Sequence, residues 1–179
     1  ELTELPNPLV GPSIDEEGNT PNRFEVGEPV GYFFGFRNDG LYRNQAEIDN
    51  DPGLANDPER RAILQPGDFR RVDIDGNGII NNDDRVNLGS PIPDFTYGLI
   101  FNGTYKNWDF GLAVNGVQGN EIFNATRFTG TFFLDGNKFG YVRDSFVPGQ
   151  NENTNIPRAS LPNAAGNQLP SDFYVEDGS

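Results

Sequence analysis

Apolar and polar positions alternate most regularly between residues 95 and 117. Phe95, Tyr97, Leu99, Phe101 and Tyr105 fall on one face of an extended chain, with Gly103 between them, while Thr96, Gly98, Ile100, Asn102 and Thr104 take the other. After Lys106-Asn107 the pattern resumes, with Trp108, Phe110, Leu112 and Val114 on one face and Asp109, Gly111, Ala113 and Asn115 opposite. This predicts a hairpin of two strands, each about ten residues long, joined by a tight turn. One apolar face, one small or polar face and aromatics near both ends suit an outer-membrane barrel. They equally suit a soluble sandwich hairpin whose apolar face packs on a core, and periodicity alone leaves both open.

Elsewhere the signals are shorter. Residues 1–24, with Pro6, Pro8, Pro12, Pro21 and the acidic run Asp15-Glu16-Glu17, have no helical or strand period and read as irregular surface chain. From Phe24 to Tyr42, the aromatics Tyr32, Phe33, Phe34, Phe36 and Tyr42 lie between glycines, which predicts short strands with turns at Gly31 and Asn38-Asp39-Gly40. Gln45 to Asn50 and Pro58 to Leu64 are each long enough for one or two helical turns, with Pro52 separating them. Residues 118–179 read as one long loop pinned by Phe123, Phe128, Phe132, Phe133, Phe139, Tyr141 and Phe146. The expected fold is mainly β, with long irregular loops and one or two short helices.

One motif carries chemistry. Residues 73–84, DIDGNGIINNDD, match the calcium-loop template D-x-[DN]-x-[DN]-G with a carboxylate at position 12. Calcium takes six to eight hard oxygen ligands. Asp73, Asp75 and Asn77 would supply side-chain oxygens at alternate positions, Ile79 its carbonyl, Asn81 a bridging water, and Asp84 the closing carboxylate where a longer Glu is usual. Gly78 permits the sharp turn, and Ile80 would point inward as an apolar anchor. The bland reading is a hairpin turn on an acidic surface, because D-G-N-G is also favourable turn chemistry. The helices that ordinarily flank such a loop are missing, with Pro66-Gly67 upstream and Pro91 downstream.

Composition narrows the function. The 179 residues hold 13 Lys+Arg against 27 Asp+Glu, a net charge of −14, which excludes nucleic-acid binding through phosphate contacts and disfavours anionic membrane surfaces. With no Cys and no His, disulfides, thiol nucleophiles, imidazole bases and zinc fingers are unavailable. Adjacent acids such as Asp83/Asp84 cannot face each other across a substrate, so no catalytic site is expected. The 22 glycines and 14 prolines leave the chain below the ~25–30% at which disorder becomes the default. A chain with no Met that starts at Glu1 reads as a piece of something longer. No apolar run approaches the ~18 residues of a spanning helix, so any membrane crossing would be made by strands.

Several motifs occur in one order: Gly27-Glu28-Pro29-Val30-Gly31-Tyr32-Phe33-Phe34-Gly35-Phe36; Asp39-Gly40-Leu41-Tyr42 with Asn44-Gln45; Pro66-Gly67-Asp68; the loop from Asp73 through Asn81 with Asp83-Asp84-Arg85; Gly89-Ser90-Pro91-Ile92-Pro93-Asp94-Phe95-Thr96-Tyr97-Gly98; and Gly116-Val117-Gln118-Gly119-Asn120. This order resembles the SusC/RagA family, the TonB-dependent outer-membrane transporters of Bacteroidetes, densely over residues 24–124 and again at Asp172-Phe173 and Glu176 to Ser179. The resemblance implies that 95–117 is a barrel hairpin with Lys106-Asn107 on the periplasmic side. Residues 1–94, including the calcium-like loop, and 118–179 then become extracellular loops. It also implies import of glycans or peptides, with a SusD-like lipoprotein partner and TonB. Such a fragment alone is expected to pack the Phe95 and Trp108 faces against its own loop aromatics or a second copy. The rival is a soluble extracellular calcium-binding adhesion or scaffolding module, since 73–84 also resembles one dockerin loop, though no second copy follows. A glycosidase accessory domain ranks below both.

Overall fold

The computed structural model of the chain describes residues 9–10, 20–132, 138–159 and 165–179. Phe133 among the expected anchors lies outside them. The aromatic run forms β3 (Tyr32–Phe36), the centre of a four-stranded sheet. Its neighbours are β2 (Asn22–Phe24), with β1 (Leu9–Val10) beyond it, and β6 (Arg85–Gly89), all paired antiparallel. The expectation of irregular chain up to residue 24 is therefore corrected at these short strands, which are recruited by pairing and have no period of their own. The Phe34 ring is covered by the guanidinium groups of Arg23 and Arg85, 4.3 and 4.7 Å from its centroid. A Cβ on Gly35 would press into the Pro170 carbonyl, so glycine there lets the C-terminal segment lie against β3, where the Phe36 N–H donates to Pro170 at 2.9 Å.

The two predicted helices form as α1 (Gln45–Asp49) and α2 (Pro58–Ile63). Asn44 caps the first by accepting from the Glu47 N–H, and Asp57 caps the second by accepting from Arg60, with Pro58 at the first helical position. Instead of a clean turn at 38–40, the chain forms β4 (Asn38–Leu41), which pairs with β5 (Phe69–Arg71) across a bulge, Gly40 adopting φ +75°. Residues after the hairpin form β9 (Glu121–Phe123), α3 (Ala125–Phe132) and β10 (Val175–Asp177), with β9 antiparallel to β10. The long loop expected there thus carries an ordered framework.

Both hydrophobic clusters mix residues from before and after the hairpin. One holds Phe36, Tyr42, Ile48, Leu54, Leu64, Ile80 and Ala165; the other joins Leu41 and Phe69 to Phe128, Phe146 and Tyr174. Segments far apart in sequence are also tied by polar contacts. Buried Asp68 accepts from Arg158 Nε at 2.6 Å, Asn167 Nδ2 at 2.8 Å and the Gln65 N–H at 2.8 Å. These strands, helices and clusters form one packed head.

The hairpin projects from it as β7 (Phe95–Tyr105) and β8 (Trp108–Gln118), joined by Lys106-Asn107, with Lys106 at φ 53° as a primed turn requires. The register pairs Leu99 with Val114, Phe101 with Leu112 and Tyr105 with Trp108, which unites the two apolar faces on one side. Almost every residue is exposed, Trp108 at 76% and Phe101 at 55%. The rings of Phe110 and Tyr97 lie over Gly103 and Gly116 on the neighbouring strand. Among the described residues, the expected packing against the chain's own loop aromatics is not seen, because Phe69, Phe128 and Phe146 are already consumed inside the head. A short neck joins the parts: Asp94 N–H donates to Gln118, and Glu121 N–H to Ser90.

Burial also fixes an alkaline limit. The Tyr32 phenol is pushed up to about 12 by burial and by its hydrogen bond to Glu25, and burial raises Tyr42 and Tyr174 as well. A raised folded value means stability that is fully present below the unfolded tyrosine value near 10 and lost as pH climbs through the folded one. Thermal melts followed by circular dichroism are expected to be flat from pH 7 to 9. Above about pH 10, stability is expected to fall as the unfolded chain gives up phenolic protons that the folded chain retains. A melting temperature unchanged at pH 11 would contradict this.

Candidate metal centre

The loop 73–84 leaves the head directly after β5, where the Val72 N–H donates to Arg37, and returns through a 3-10 turn at Asn82–Asp84 into β6. Between these anchors, Gly76 and Gly78 adopt φ +74° and +79°, which bends the backbone around its own carboxylates. Asp73 accepts from the Gly76 and Gly78 N–H groups, each at 2.8 Å. Asp75 accepts from the Asn77 N–H at 3.0 Å and from Asn77 Nδ2 at 2.7 Å. Asp84 is fully buried and accepts from Ile74 N–H and Asn81 N–H, both at 2.8 Å, so that one side chain clips the two ends of the loop together.

This wrapping brings one oxygen from each of Asp73, Asp75 and Asp84 within 4.8 Å of one another. A calcium ion with ligands at 2.3–2.6 Å requires that spacing of its donors. Each carboxylate oxygen that accepts one N–H retains a second lone pair, so the internal hydrogen bonds leave donor capacity for a cation. The carboxylate part of the predicted ligand set is therefore gathered. Asn77 turns its Oδ1 to the Ile79 N–H at 2.7 Å. Asn81 caps the 3-10 turn by accepting from Asp83, and Ile79 stays on the exposed rim. Ile80 enters the core as expected.

Burial by itself would raise the Asp73 carboxyl, but the N–H groups of Gly78 and Gly76 outweigh it and hold it below the ordinary carboxylate range. A depressed folded value is stability present above the unfolded value near 4 and lost as pH falls below it. Two supports had no sequence signal. Asn56 donates its N–H to the Gly78 carbonyl at 2.9 Å and its Nδ2 to Asn77 at 2.7 Å, and Gly53 leaves room for the Asp73 Cβ. Both precede the loop by about twenty residues, and only the tertiary fold brings them to it.

An exposed amphipathic hairpin on a loop-rich, mainly β head is the form of a piece cut from a larger β assembly. Among the described residues, no helix is long and apolar enough to cross a membrane. No protein-family model matches the chain. Among curated proteins, it is 41% identical over 171 residues to TonB-dependent receptor P26 of Formosa agariphila, covering 93% of this chain and 16% of that protein. It is 33% identical over 160 residues to TonB-dependent receptor P3 of the same organism, covering 86% of this chain and 14% of that one. The chain belongs to the TonB-dependent receptor family and spans about one sixth of the length of these relatives.

Proposed function

We propose that this chain is a segment of a SusC/RagA-type TonB-dependent outer-membrane transporter that imports glycans or peptides with a SusD-like lipoprotein and energy delivered through TonB. The segment itself is non-catalytic: β7 and β8 are neighbouring barrel strands, and the head is an extracellular loop region stapled by one calcium ion.

The observation that carries this reading is the hairpin. Eleven paired residues extend roughly 35 Å, enough to cross a bilayer at the usual barrel tilt. Aromatics stand near both ends of its apolar face, Phe95 and Tyr97 at the neck and Tyr105 and Trp108 at the tip, as at the two interfaces of a membrane. A soluble module would have to cover Leu99, Phe101 and Leu112, which stand exposed at 60%, 55% and 53%. The test is the size and membrane fractionation of the native gene product, using an antibody raised against this chain. A long chain in the outer-membrane fraction is the expected result; a short secreted one would replace the transporter with a calcium-binding adhesion module.

Calcium has its own test. Adding calcium is expected to raise the melting temperature of the chain, and Asp73→Ala to abolish that rise by removing the first ligand. A rise that persists in the variant would remove Asp73 from the site.

A further inference from the structure

The dipeptide Asn-Gly occurs three times in the chain, at Asn77-Gly78, Asn102-Gly103 and Asn115-Gly116. In such a pair the backbone nitrogen reaches the preceding side-chain amide with least hindrance, because glycine has no Cβ to shield that nitrogen. All three asparagines are exposed, so access of water does not separate them. Their backbones do. Asn102 lies opposite Gly111 and Asn115 opposite Gly98 within the ladder of β7 and β8. An extended backbone holds ψ at about +135°, and turning the next nitrogen onto the side-chain carbon from there breaks ladder bonds. Asn77 lies outside any ladder, at a bend between Gly76 and Gly78, which both adopt positive φ.

The loop cannot exchange this pair for a less reactive one. Gly78 has φ +79°, and a Cβ there would stand 3.1 Å from Asn56 Nδ2 and 3.2 Å from the Asn56 backbone nitrogen. The amide at position 77 is used as well, since its Nδ2 donates to Asp75 at 2.7 Å, a bond that a carboxylate could not make. Asn77 Oδ1 accepts from the Ile79 N–H at 2.7 Å, which draws charge from Cγ and favours the negative oxygen that forms when Cγ is attacked. Asn56 restrains the pair. Its Nδ2 donates to the Asn77 carbonyl at 2.7 Å on one side of the 77–78 peptide, while the Gly78 N–H donates to Asp73 at 2.8 Å on the other.

We propose that Asn77 is a site of spontaneous deamidation, and that the Asn56 side chain sets its rate by holding the 77–78 peptide in place. Hydroxide takes the Gly78 amide proton, the nitrogen bonds to Asn77 Cγ, and the Cγ–Nδ2 bond breaks, ammonia leaving with a proton from water. Water then adds to either carbonyl of the cyclic imide and reopens the ring. One opening leaves an aspartyl residue, whose carboxylate faces Asp75 in place of the amide that bonded to it. The other leaves an isoaspartyl residue, which adds a methylene to the loop backbone and shifts Gly78 off Asp73 and Asn56. Both products loosen the connection between β5 and β6. The reaction needs neither a membrane nor calcium, since every group in it belongs to the loop, to Asn56 or to water.

The test is peptide mapping by mass spectrometry of the full chain in detergent micelles with EDTA, sampled over about two weeks at about pH 8.5 and about 37 °C. Conversion is read as a gain of about one dalton, and labelling by a protein isoaspartyl methyltransferase identifies the second product. Asn77 is expected to convert about tenfold faster than Asn102 or Asn115. Asn56→Ala replaces an exposed side chain and keeps the backbone bond from Asn56 to the Gly78 carbonyl. It is expected to speed conversion at Asn77 about threefold and to leave the two strand positions unchanged. Conversion at Asn77 no faster than at the strand positions would overturn the proposal, as would an unchanged rate in Asn56→Ala. The comparison of the three sites in the unaltered chain does not depend on how the variant folds.

Discussion

Phe101→Arg is expected to abolish assembly of the parent protein in the outer membrane, and Asn102→Arg to leave it nearly unchanged. The two residues are adjacent in β7, both exposed, and differ only in the face they occupy. Phe101 lies opposite Leu112 near the middle of the apolar face, with the Phe110 ring 5.7 Å away. Asn102 lies opposite Gly111 on the polar face. If the apolar face meets lipid, a cation near the bilayer midplane costs about 2–4 kcal/mol, and the same cation on the lumen side costs little. Heat-modifiability and outer-membrane yield of the two variants measure the difference. Equal effects at both positions would contradict a lipid-facing assignment.

Asp84→Ala is expected to be the most damaging substitution within the metal loop, with or without calcium. Its carboxylate is completely buried and is the acceptor for Ile74 N–H and Asn81 N–H. Removing it takes the acceptor from two part-buried N–H groups, at about 1–2 kcal/mol each. A loss of roughly 2–4 kcal/mol lowers the melting temperature by roughly 5–15 °C for a chain of this size. Asp75→Ala provides the contrast. Asp75 is exposed and its partners both belong to Asn77, so water replaces it and the apo protein should change by less than about 0.5 kcal/mol. Both variants should lose calcium affinity, and only Asp84→Ala should lose apo stability. Indistinguishable apo melting curves would show that the clip between Ile74 and Asn81 carries no weight.

The parts of the molecule readable from sequence are those whose signals are local. Alternation at a period of two placed β7 and β8 on either side of Lys106-Asn107, because opposite faces of a strand meet different surroundings. Capping residues and prolines bounded α1 and α2 for a similar reason, since Asn44 and Asp57 act within three residues of themselves. The spacing of Asp73, Asp75 and Asp84 placed three carboxylates around one point, because the loop wraps on its own glycines.

What failed was non-local. The strands at 9–10 and 22–24 exist because β3 offers them a partner, and the framework of 118–179 exists because β9 meets β10 and Phe128 meets Tyr174 across about forty-five residues. Loop-like composition conceals such pairings, because their energy lies in contacts that no window of sequence contains.

By itself, then, the sequence determined a long amphipathic hairpin, two short helices and an acidic loop of calcium-binding pattern, each specified by neighbours a few residues apart. Only the tertiary structure decided that the segments flanking the hairpin share one core and that Asn56 and Gly53 brace the loop. Those features depend on residues brought together by closing long stretches of chain, and burying the aromatics of both segments together supplies the free energy that closure requires.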